Sequence, residues 1–316
     1  MLRQSKEVVF IHSYKIVKEI VCGSLLGVLL SGIMIKTGQG IQLEWSFLMI
    51  VILSLVMSRI HPKLTCLAYV LAVVYGLDGV LIFFGIKENY FKIDYVSMIQ
   101  VVGILHIIEG LLTRFCGGKQ NRAIITYRGE EIVGGYQSFE KWLIPLFFFK
   151  MKEMYIPIVA GVVYCNDCFT MSPREKAKKM GRVIEVYGLS ILVFQKLVIQ
   201  GILPKWIALF SMPILHEIIF FIDGFIEEKG EILYGQPKQG IRIMQILKPS
   251  PLDIEPGDIL LKINGAFIEN EDTYRQLLES KQRLWVEVEK NNQAHEKFIC
   301  NSETLKESEL VFLPPF

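Results

Sequence analysis

The stretch Gly240-Ile-Arg-Ile-Met-Gln-Ile-Leu-Lys-Pro-Ser-Pro251 marks a change in the pattern of the chain. Apolar and polar residues alternate from Ile241 to Leu247, as is typical of a half-buried β-strand, and the prolines that follow end it. Pro256-Gly-Asp258 is a turn signal, and Ile259-Leu-Leu-Lys-Ile263 predicts a buried strand. The Asn264-Gly265 pair then predicts a tight hairpin turn. The segment that begins at Gly240 is therefore expected to be rich in short strands.

A helix and a second hairpin follow this segment. Asn270 is a helix-capping residue type, and Glu271 and Asp272 place negative charge at the positive end of the helix dipole. One apolar face of the helix, at spacing i, i+3, i+4, consists of Tyr274, Leu277 and Leu278. Residues 284–300 read as two strands around a polar turn. We expect residues 223–316 to form a soluble α+β domain, a small β-barrel-like fold with one main helix.

Upstream of this domain the chain is far more apolar. Over all 316 residues, 52% are hydrophobic and 21% are charged, and the mean hydropathy is +0.39, above the usual balance of a soluble domain. Residues 1–222 carry 23 Lys and Arg against 15 Asp and Glu, whereas residues 223–316 carry 11 against 17. The net charge of +2 therefore conceals a basic and an acidic part. We expect residues 1–222 to be a transmembrane domain in contact with the lipid bilayer.

Six apolar stretches approach the length of about 20 residues that a helix needs to cross a bilayer. A seventh stretch, Trp142–Tyr164, has Lys150, Lys152 and Glu153 at its centre, so it is expected to be a re-entrant or interfacial segment. The predicted fold is therefore a polytopic α-helical membrane domain of about six spans. The six predicted spans are Ile16–Ile35, Ile41–Ser58, Leu64–Ile86, Tyr95–Thr113, Val183–Leu203 and Trp206–Ile222.

The distribution of basic residues predicts the topology. With six crossings, sixteen Lys and Arg fall on one side of the membrane and four on the other. Because basic residues are enriched in cytoplasmic loops, both termini are expected in the cytoplasm. A seventh crossing would move the basic run Arg174–Arg182 outside and weaken the contrast. The protein is thus predicted to be a multi-pass protein of the cell membrane whose soluble domain faces the cytoplasm.

Several partner classes are disfavoured by the same pattern. The basic residues lie in short runs beside apolar stretches, so nucleic acid is not an expected partner. The six cysteines lack regular spacing. Cys165-Asn-Asp-Cys168 has metal-type spacing, but no second ligand pair accompanies it. No cofactor, no metal site and no small-molecule substrate are therefore inferred.

Five ionisable residues within the predicted spans form a candidate intramembrane polar cluster. Such residues are costly in a bilayer and often mark ion or proton handling. The alternative, which we favour, is a hydrogen-bonded lock between helices. The predicted cluster consists of Asp78, His106, Glu109, His216 and Glu217.

The run from Gly240 to Pro251, followed by Pro256-Gly-Asp-Ile-Leu-Leu-Lys-Ile-Asn-Gly265, resembles the core of a bacterial PDZ domain. The resemblance implies that the domain binds peptides by adding a strand beside a helix. In the circularly permuted bacterial form the pairing strand comes last, and Val311 stands where a glycine is expected. The expected partner-binding residues are Leu310, Val311, Phe312 and Leu313, with Tyr274, Leu277 and Leu278 on the helix. The alternative is that this tail only completes the barrel.

The order of parts resembles the MinJ-type division-site proteins of Gram-positive bacteria. Outside the β-rich core, the residues that carry this resemblance are Ile132–Gly135, Trp142–Leu146 and Ser172–Lys178. The resemblance implies a membrane-anchored scaffold or adaptor for division-site selection or polarity, which links DivIVA-like and MinD-like cytoplasmic proteins. Such a protein acts by binding without chemistry, so we expect it not to be an enzyme.

A second resemblance supports an alternative function. His216-Glu217 is similar to the start of the zinc-binding His-Glu-x-x-His motif of site-2-type membrane metalloproteases, some of which carry PDZ domains. Phe220 occupies the position of the second histidine, and Asp223-Gly224 follows closely. The alternative is therefore a degenerate or regulatory relative of these proteases.

Overall fold

The computed structural model describes residues 2–36, 40–86, 90–248, 250, 252–280, 282–290 and 294–314. The chain divides into two compact units. The helical unit comprises Met1–Gly118, Glu140–Tyr164 and Ala177–Ile226, and the sheet unit comprises Lys119–Phe139, Cys165–Lys176 and Glu227–Phe316. The expected boundary at 222 lies close to the one at 226. The sheet unit also includes two segments that were expected in the membrane domain, Lys119–Phe139 and Cys165–Lys176.

The elements alternate between long helices and two groups of strands. The helices are α1 Leu2–Lys36, α2 Ser46–Ser58, α3 Leu67–Phe83, α4 Tyr95–Cys116, α5 Pro173–Ile199, α6 Lys205–Lys229, α7 Glu271–Ser280 and α8 Ser302–Glu307, with a 3₁₀ turn at Pro62–Thr65. The strands are β1 Ile41–Gln42, β2 Asn121–Arg128, β3 Glu131–Met151, β4 Met154–Cys168, β5 Ile241–Ile246, β6 Ile259–Ile263, β7 Ala266–Phe267, β8 Arg283–Lys290, β9 Ala294–Asn301 and β10 Leu310–Phe312.

The prediction of six spans followed by a single PDZ-like barrel is wrong. Among the described residues, three helices are long and apolar enough to cross a membrane: Glu19–Lys36 within α1, then α4, then α6. The strands form two sheets, a four-stranded one and a six-stranded one. The chain is therefore compatible with membrane insertion, but through fewer long apolar helices than expected.

The number of membrane spans is overestimated because hydropathy does not distinguish a helix from the apolar segments that flank it. The stretch from Ile41 to Ser58 holds β1 as well as α2, and α2 has only 13 residues, about 20 Å of helix. α3 has 17 residues, at the lower limit for a span. α5 begins at Pro173 with charged turns, so its apolar part is only one portion of a 27-residue helix.

The stretch Trp142–Tyr164 lies in a long β-hairpin. β4 pairs with β3, and β1 pairs with the end of β3 in parallel, with Ile41 opposite Phe149. Lys152 has φ 56° at the turn between β3 and β4. The charges that interrupt this apolar stretch therefore lie at the tip of the hairpin. One face of β3 is buried and consists of Trp142, Ile144, Leu146 and Phe148.

α1 packs against β3 through two glycines. A Cβ atom on Gly23 would overlap the carbonyl oxygen of Leu143, and one on Gly27 would overlap that of Pro145. Ser31 Oγ accepts a hydrogen bond from the Phe147 amide, with an N–O distance of 2.9 Å. The small-residue face of α1 thus allows close approach to the backbone of a strand.

The sheet unit contains the elements that the local sequence patterns predict. Its six-stranded sheet has the order β10-β5-β6-β8-β9, with β7 paired to β6. The predicted turn at Asn264-Gly265 is confirmed, since both residues have positive φ, 52° and 84°, and Ile263 pairs with Ala266. The predicted cap is confirmed as well, because the Thr273 amide donates to Asn270 Oδ1 at 2.8 Å. Polar residues 291–293, expected at the second hairpin turn, lie outside the described residues.

Candidate functional site

Two pairs of glycines hold α4 and α5 together and so position the polar side chains between them. A Cβ on Gly188 would lie 2.7 Å from the Gly103 carbonyl oxygen. A Cβ on Gly110 would lie 2.7 Å from the Gly181 carbonyl oxygen. Glycine on both helices lets the backbones approach closely. His106 lies between the two glycines of α4.

His106 is buried in the helical unit, and both of its ring nitrogens have neighbours. Nδ1 lies 2.8 Å from the carbonyl oxygen of Val102, one helical turn earlier. Nε2 lies 3.4 Å from Cys66 Sγ and 3.9 Å from Glu109 Oε2. The ring also contacts Tyr187 of α5 edge to face, with centroids 4.8 Å apart. The imidazole is therefore fixed in orientation by three elements of the unit.

His216 on α6 lies next to His106, with ring centroids 5.7 Å apart. Its Nδ1 lies 2.9 Å from the hydroxyl oxygen of Tyr69 on α3. The Tyr69 hydroxyl donates to Glu217 Oε1 at 2.8 Å. Lys63 Nζ forms an ion pair with the same carboxylate at 2.7 Å. The result is a chain of contacts from Lys63 through Glu217 and Tyr69 to the imidazole of His216.

The structure thus brings four of the five predicted cluster residues together: His106, Glu109, His216 and Glu217. The fifth residue, Asp78, makes a different contact, since the Tyr95 hydroxyl donates a hydrogen bond to its Oδ2. Lys205 Nζ lies 5.8 Å from the centre of the Tyr95 ring. Asp78 is therefore part of a separate polar contact between α3 and α4.

Two residues of the site do not follow from the sequence patterns, Cys66 and Tyr69. Both lie where α3 begins, one helical turn apart, in a stretch that reads as purely apolar. One ligand atom from each of Cys66, His106 and His216 lies within 4.8 Å of the other two. A thiol and two imidazoles form a set that could hold a metal ion. The sequence points to this site only through metal-binding residue types, Cys and His, that lie within or beside apolar segments.

The expected partner-binding residues lie at one edge of the six-stranded sheet. β10 pairs antiparallel with β5, placing Leu310 opposite Ile246 and Phe312 opposite Ile243. The ring of Tyr274 on α7 meets that of Phe312 edge to face, with centroids 4.9 Å apart. Burial raises the pKa of the Tyr274 hydroxyl, which therefore stays neutral at physiological pH. Val311 is half-buried, as is Leu277, whereas Leu278 and Leu313 are buried.

Phenylalanine occupies position 220, at which a His-Glu-x-x-His motif has its second histidine. Phe220 packs on His216, with ring centroids 4.9 Å apart. The second imidazole beside His216 comes from α4, as His106. The arrangement therefore differs from a motif built on one helix.

Comparison of the chain with protein-family models, with curated proteins and with solved structures finds no match.

Proposed function

We propose that the protein is a membrane-anchored adaptor that binds cytoplasmic proteins through the edge strand β10 of its sheet unit. Three long apolar helices supply the anchor. Binding to a partner needs no chemistry, and fixing the adaptor in a membrane raises the local concentration of whatever it binds. The proposed activity is therefore recruitment, and the protein is proposed not to be an enzyme.

The position of β10 is the observation that carries this proposal. β10 ends the order of strands, so among the described residues no strand pairs with its outer side. An edge strand presents unpaired N–H and C=O groups that an extended peptide can use. α7 lies beside this edge, because its Tyr274 contacts Phe312 of β10. A strand next to a helix offers main-chain hydrogen bonds for affinity and side-chain contacts for selectivity.

The resemblance to MinJ-type proteins supports a particular set of partners. It would make DivIVA-like and MinD-like proteins the cytoplasmic partners and division-site selection or polarity the process. The expected segment of the partner is extended, with apolar side chains that fit against β10 and α7. The surface around Val311 is the part of the protein expected to contact it.

A charge at the edge is expected to block this interaction. Val311→Lys in the full chain, reconstituted in lipid nanodiscs, should weaken binding of the DivIVA-like or MinD-like protein of the same cell by about tenfold or more. The matched control is Ile299→Lys on β9, at the opposite edge, where Ile299 is 54% exposed. Surface plasmon resonance on the nanodiscs measures both. Equal losses in the two variants, or no binding by the unmodified protein, would contradict the proposal.

The proposed topology is multi-pass with both termini in the cytoplasm, and the four basic residues that precede the first long apolar helix support a cytoplasmic N-terminus. Reporter fusions after Phe316 and at the N-terminus are expected to show cytoplasmic activity at both ends. An odd number of crossings, which the three long helices alone would give, places the termini on opposite sides. A C-terminal reporter that is active only outside the cell would remove the cytoplasmic partners from consideration.

The alternative function is a degenerate or regulatory relative of site-2-type membrane metalloproteases. The contact of His216 with His106 favours it, because a second imidazole lies beside the histidine that precedes Glu217. A partner that is cleaved by the reconstituted protein, and no longer cleaved by a Glu217→Gln variant, would support this alternative. A partner that is bound but left intact supports the adaptor.

A further inference from the structure

We propose that Cys66, His106 and His216 bind one transition-metal ion, and that Zn²⁺ is the ion the site fits best. The three residues come from the start of α3, from α4 and from α6. An ion held by them would link three segments that are distant in the sequence. The site lies within the helical unit, so it is independent of the edge strand on which the adaptor function depends.

The distance between two of the ligand atoms matches that in a four-coordinate ion, and the third ligand atom lies close to them. Bond lengths of about 2.3 Å for Zn–S and 2.0–2.1 Å for Zn–N place tetrahedral ligand atoms about 3.3–3.6 Å apart. Cys66 Sγ and His106 Nε2 are 3.4 Å apart. All three ligand atoms lie within 4.8 Å of one another. A movement of His216 on the order of 1 Å is enough to close the site around an ion.

Hydrogen bonds indicate which ring nitrogen of each imidazole carries the proton. The Val102 carbonyl can only accept, so His106 Nδ1 carries the proton and donates to it. The Tyr69 hydroxyl donates its one hydrogen bond to the Glu217 carboxylate, so its oxygen accepts from His216 Nδ1–H. Each ring therefore keeps its lone pair on Nε2. Metal-binding histidines typically donate their other N–H to a fixed acceptor in this way.

The charges near the site favour a divalent ion. Binding requires the thiolate form of Cys66, so the thiol proton is released to solvent when the ion binds. The Glu109 side chain lies 3.9 Å from His106 Nε2, so a carboxyl oxygen is also close to the proposed ion. Glu217 is paired with Lys63 and orients His216 through Tyr69. The thiolate offsets part of the positive charge of the ion in an apolar surrounding.

The ligand types select the metal. Ca²⁺ and Mg²⁺ prefer oxygen ligands, whereas sulfur and imidazole ligands suit Zn²⁺ and related transition metals. Three protein ligands leave one position of a four-coordinate ion for water, as in catalytic zinc sites. The site is therefore proposed as an open, three-ligand site.

The full chain, purified in detergent without a histidine tag, should bind about one Zn²⁺ or Co²⁺ per molecule. The Co²⁺ form should show the charge-transfer absorption of a cobalt–thiolate bond, and Cys66→Ser should remove it. His216→Gln should lower Zn²⁺ affinity by at least tenfold. The matched controls are Cys22→Ser, at a half-buried cysteine of α1, and His61→Gln, at the 3₁₀ turn. Both controls should bind Co²⁺ as the unmodified protein does.

Two further measurements separate metal binding from a loss of fold. Tyr69→Phe keeps all three ligands and removes the acceptor of His216 Nδ1, so Zn²⁺ affinity should fall by about 10–100-fold with the cobalt–thiolate band retained. In the unmodified protein, Zn²⁺ should protect Cys66 from alkylation and leave the exposed Cys165 reactive. Absence of bound ion, a thiolate band that persists in Cys66→Ser, or equal alkylation of Cys66 with and without Zn²⁺ would overturn the proposal.

Discussion

Glu227→Ala is expected to lower the free energy of unfolding of the protein by about 3–5 kcal/mol, the usual cost of breaking a buried ion pair by removing one partner. Lys176 Nζ lies 2.7 Å from Glu227 Oε1, and the side chains are only 2% and 10% exposed. Oε2 of the same carboxylate accepts from the amides of Phe169 and Thr170, at 2.8 and 3.1 Å. The Thr170 hydroxyl donates to Oε1 at 3.1 Å, so the alanine variant removes a charge partner and the acceptor of three further hydrogen bonds at once.

The adjacent residue provides the control for this prediction. Glu228 is 70% exposed and lies 3.5 Å from Lys229, so Glu228→Ala should change stability by less than about 0.5 kcal/mol. Glu227→Gln should fall between the two variants, because its amide oxygen can take the place of Oε2 and accept from both backbone N–H groups. Thermal unfolding of the full chain in detergent, followed by circular dichroism, gives all three values. Similar midpoints for the Glu227→Ala and Glu228→Ala variants would mean that the ion pair adds nothing to stability.

Elements specified by neighbouring residues could be predicted from the sequence. The Asn264-Gly265 turn needs two residues that tolerate positive φ, and this requirement is local. The cap at Asn270 depends on a hydrogen bond to the amide of Thr273, three residues later. The apolar face of α7 follows from helical spacing, and Tyr274 and Leu278 are buried. Short-range patterns therefore gave correct positions within the sheet unit.

The number of spans could not be predicted in the same way. Apolar residues in β1, in a 3₁₀ turn and in a buried strand have the same hydropathy as those in a membrane helix. The run Leu143–Phe149 lies in a β-hairpin, and α1 packs closely against it through Gly23 and Gly27, which is a long-range contact. The pairing of β3 with β4 also removes the need to bury Lys152 and Glu153, since they lie at the turn.

The candidate metal site could likewise be predicted only in part from the sequence. The sequence indicates His106 and His216 because ionisable residues are unusual in apolar segments. Cys66 is 40 residues from His106, and Tyr69 is 147 residues from His216. Such separations lie far beyond any helical or strand period, so only the tertiary packing brings these side chains together. Metal motifs that depend on close spacing could not reveal this site.

Replacement of Gly110 by alanine is expected to separate α4 from α5, whereas the same replacement at Gly79 should not. A Cβ on Gly110 would lie 2.6 Å from the Glu185 amide nitrogen and 2.7 Å from the Gly181 carbonyl oxygen. These neighbours are backbone atoms, which cannot move aside without moving the helix. Overpacking of this kind costs about 1–3 kcal/mol. The ion pair between Arg114 and Glu185, at 3.2 Å, would be stretched as well.

Gly79→Ala is a control for which the opposite change in the unfolding midpoint is expected. It lies in α3, and no atom lies within 4 Å of a Cβ built there. Alanine in a helix interior is favoured over glycine by about 0.5–1 kcal/mol, so Gly79→Ala should raise the unfolding midpoint slightly while Gly110→Ala lowers it. Because Tyr187 on α5 contacts both His106 and His216, Gly110→Ala should also weaken Zn²⁺ binding at their site. A midpoint for Gly110→Ala that is unchanged or raised would show that α4 and α5 do not depend on this glycine for their contact.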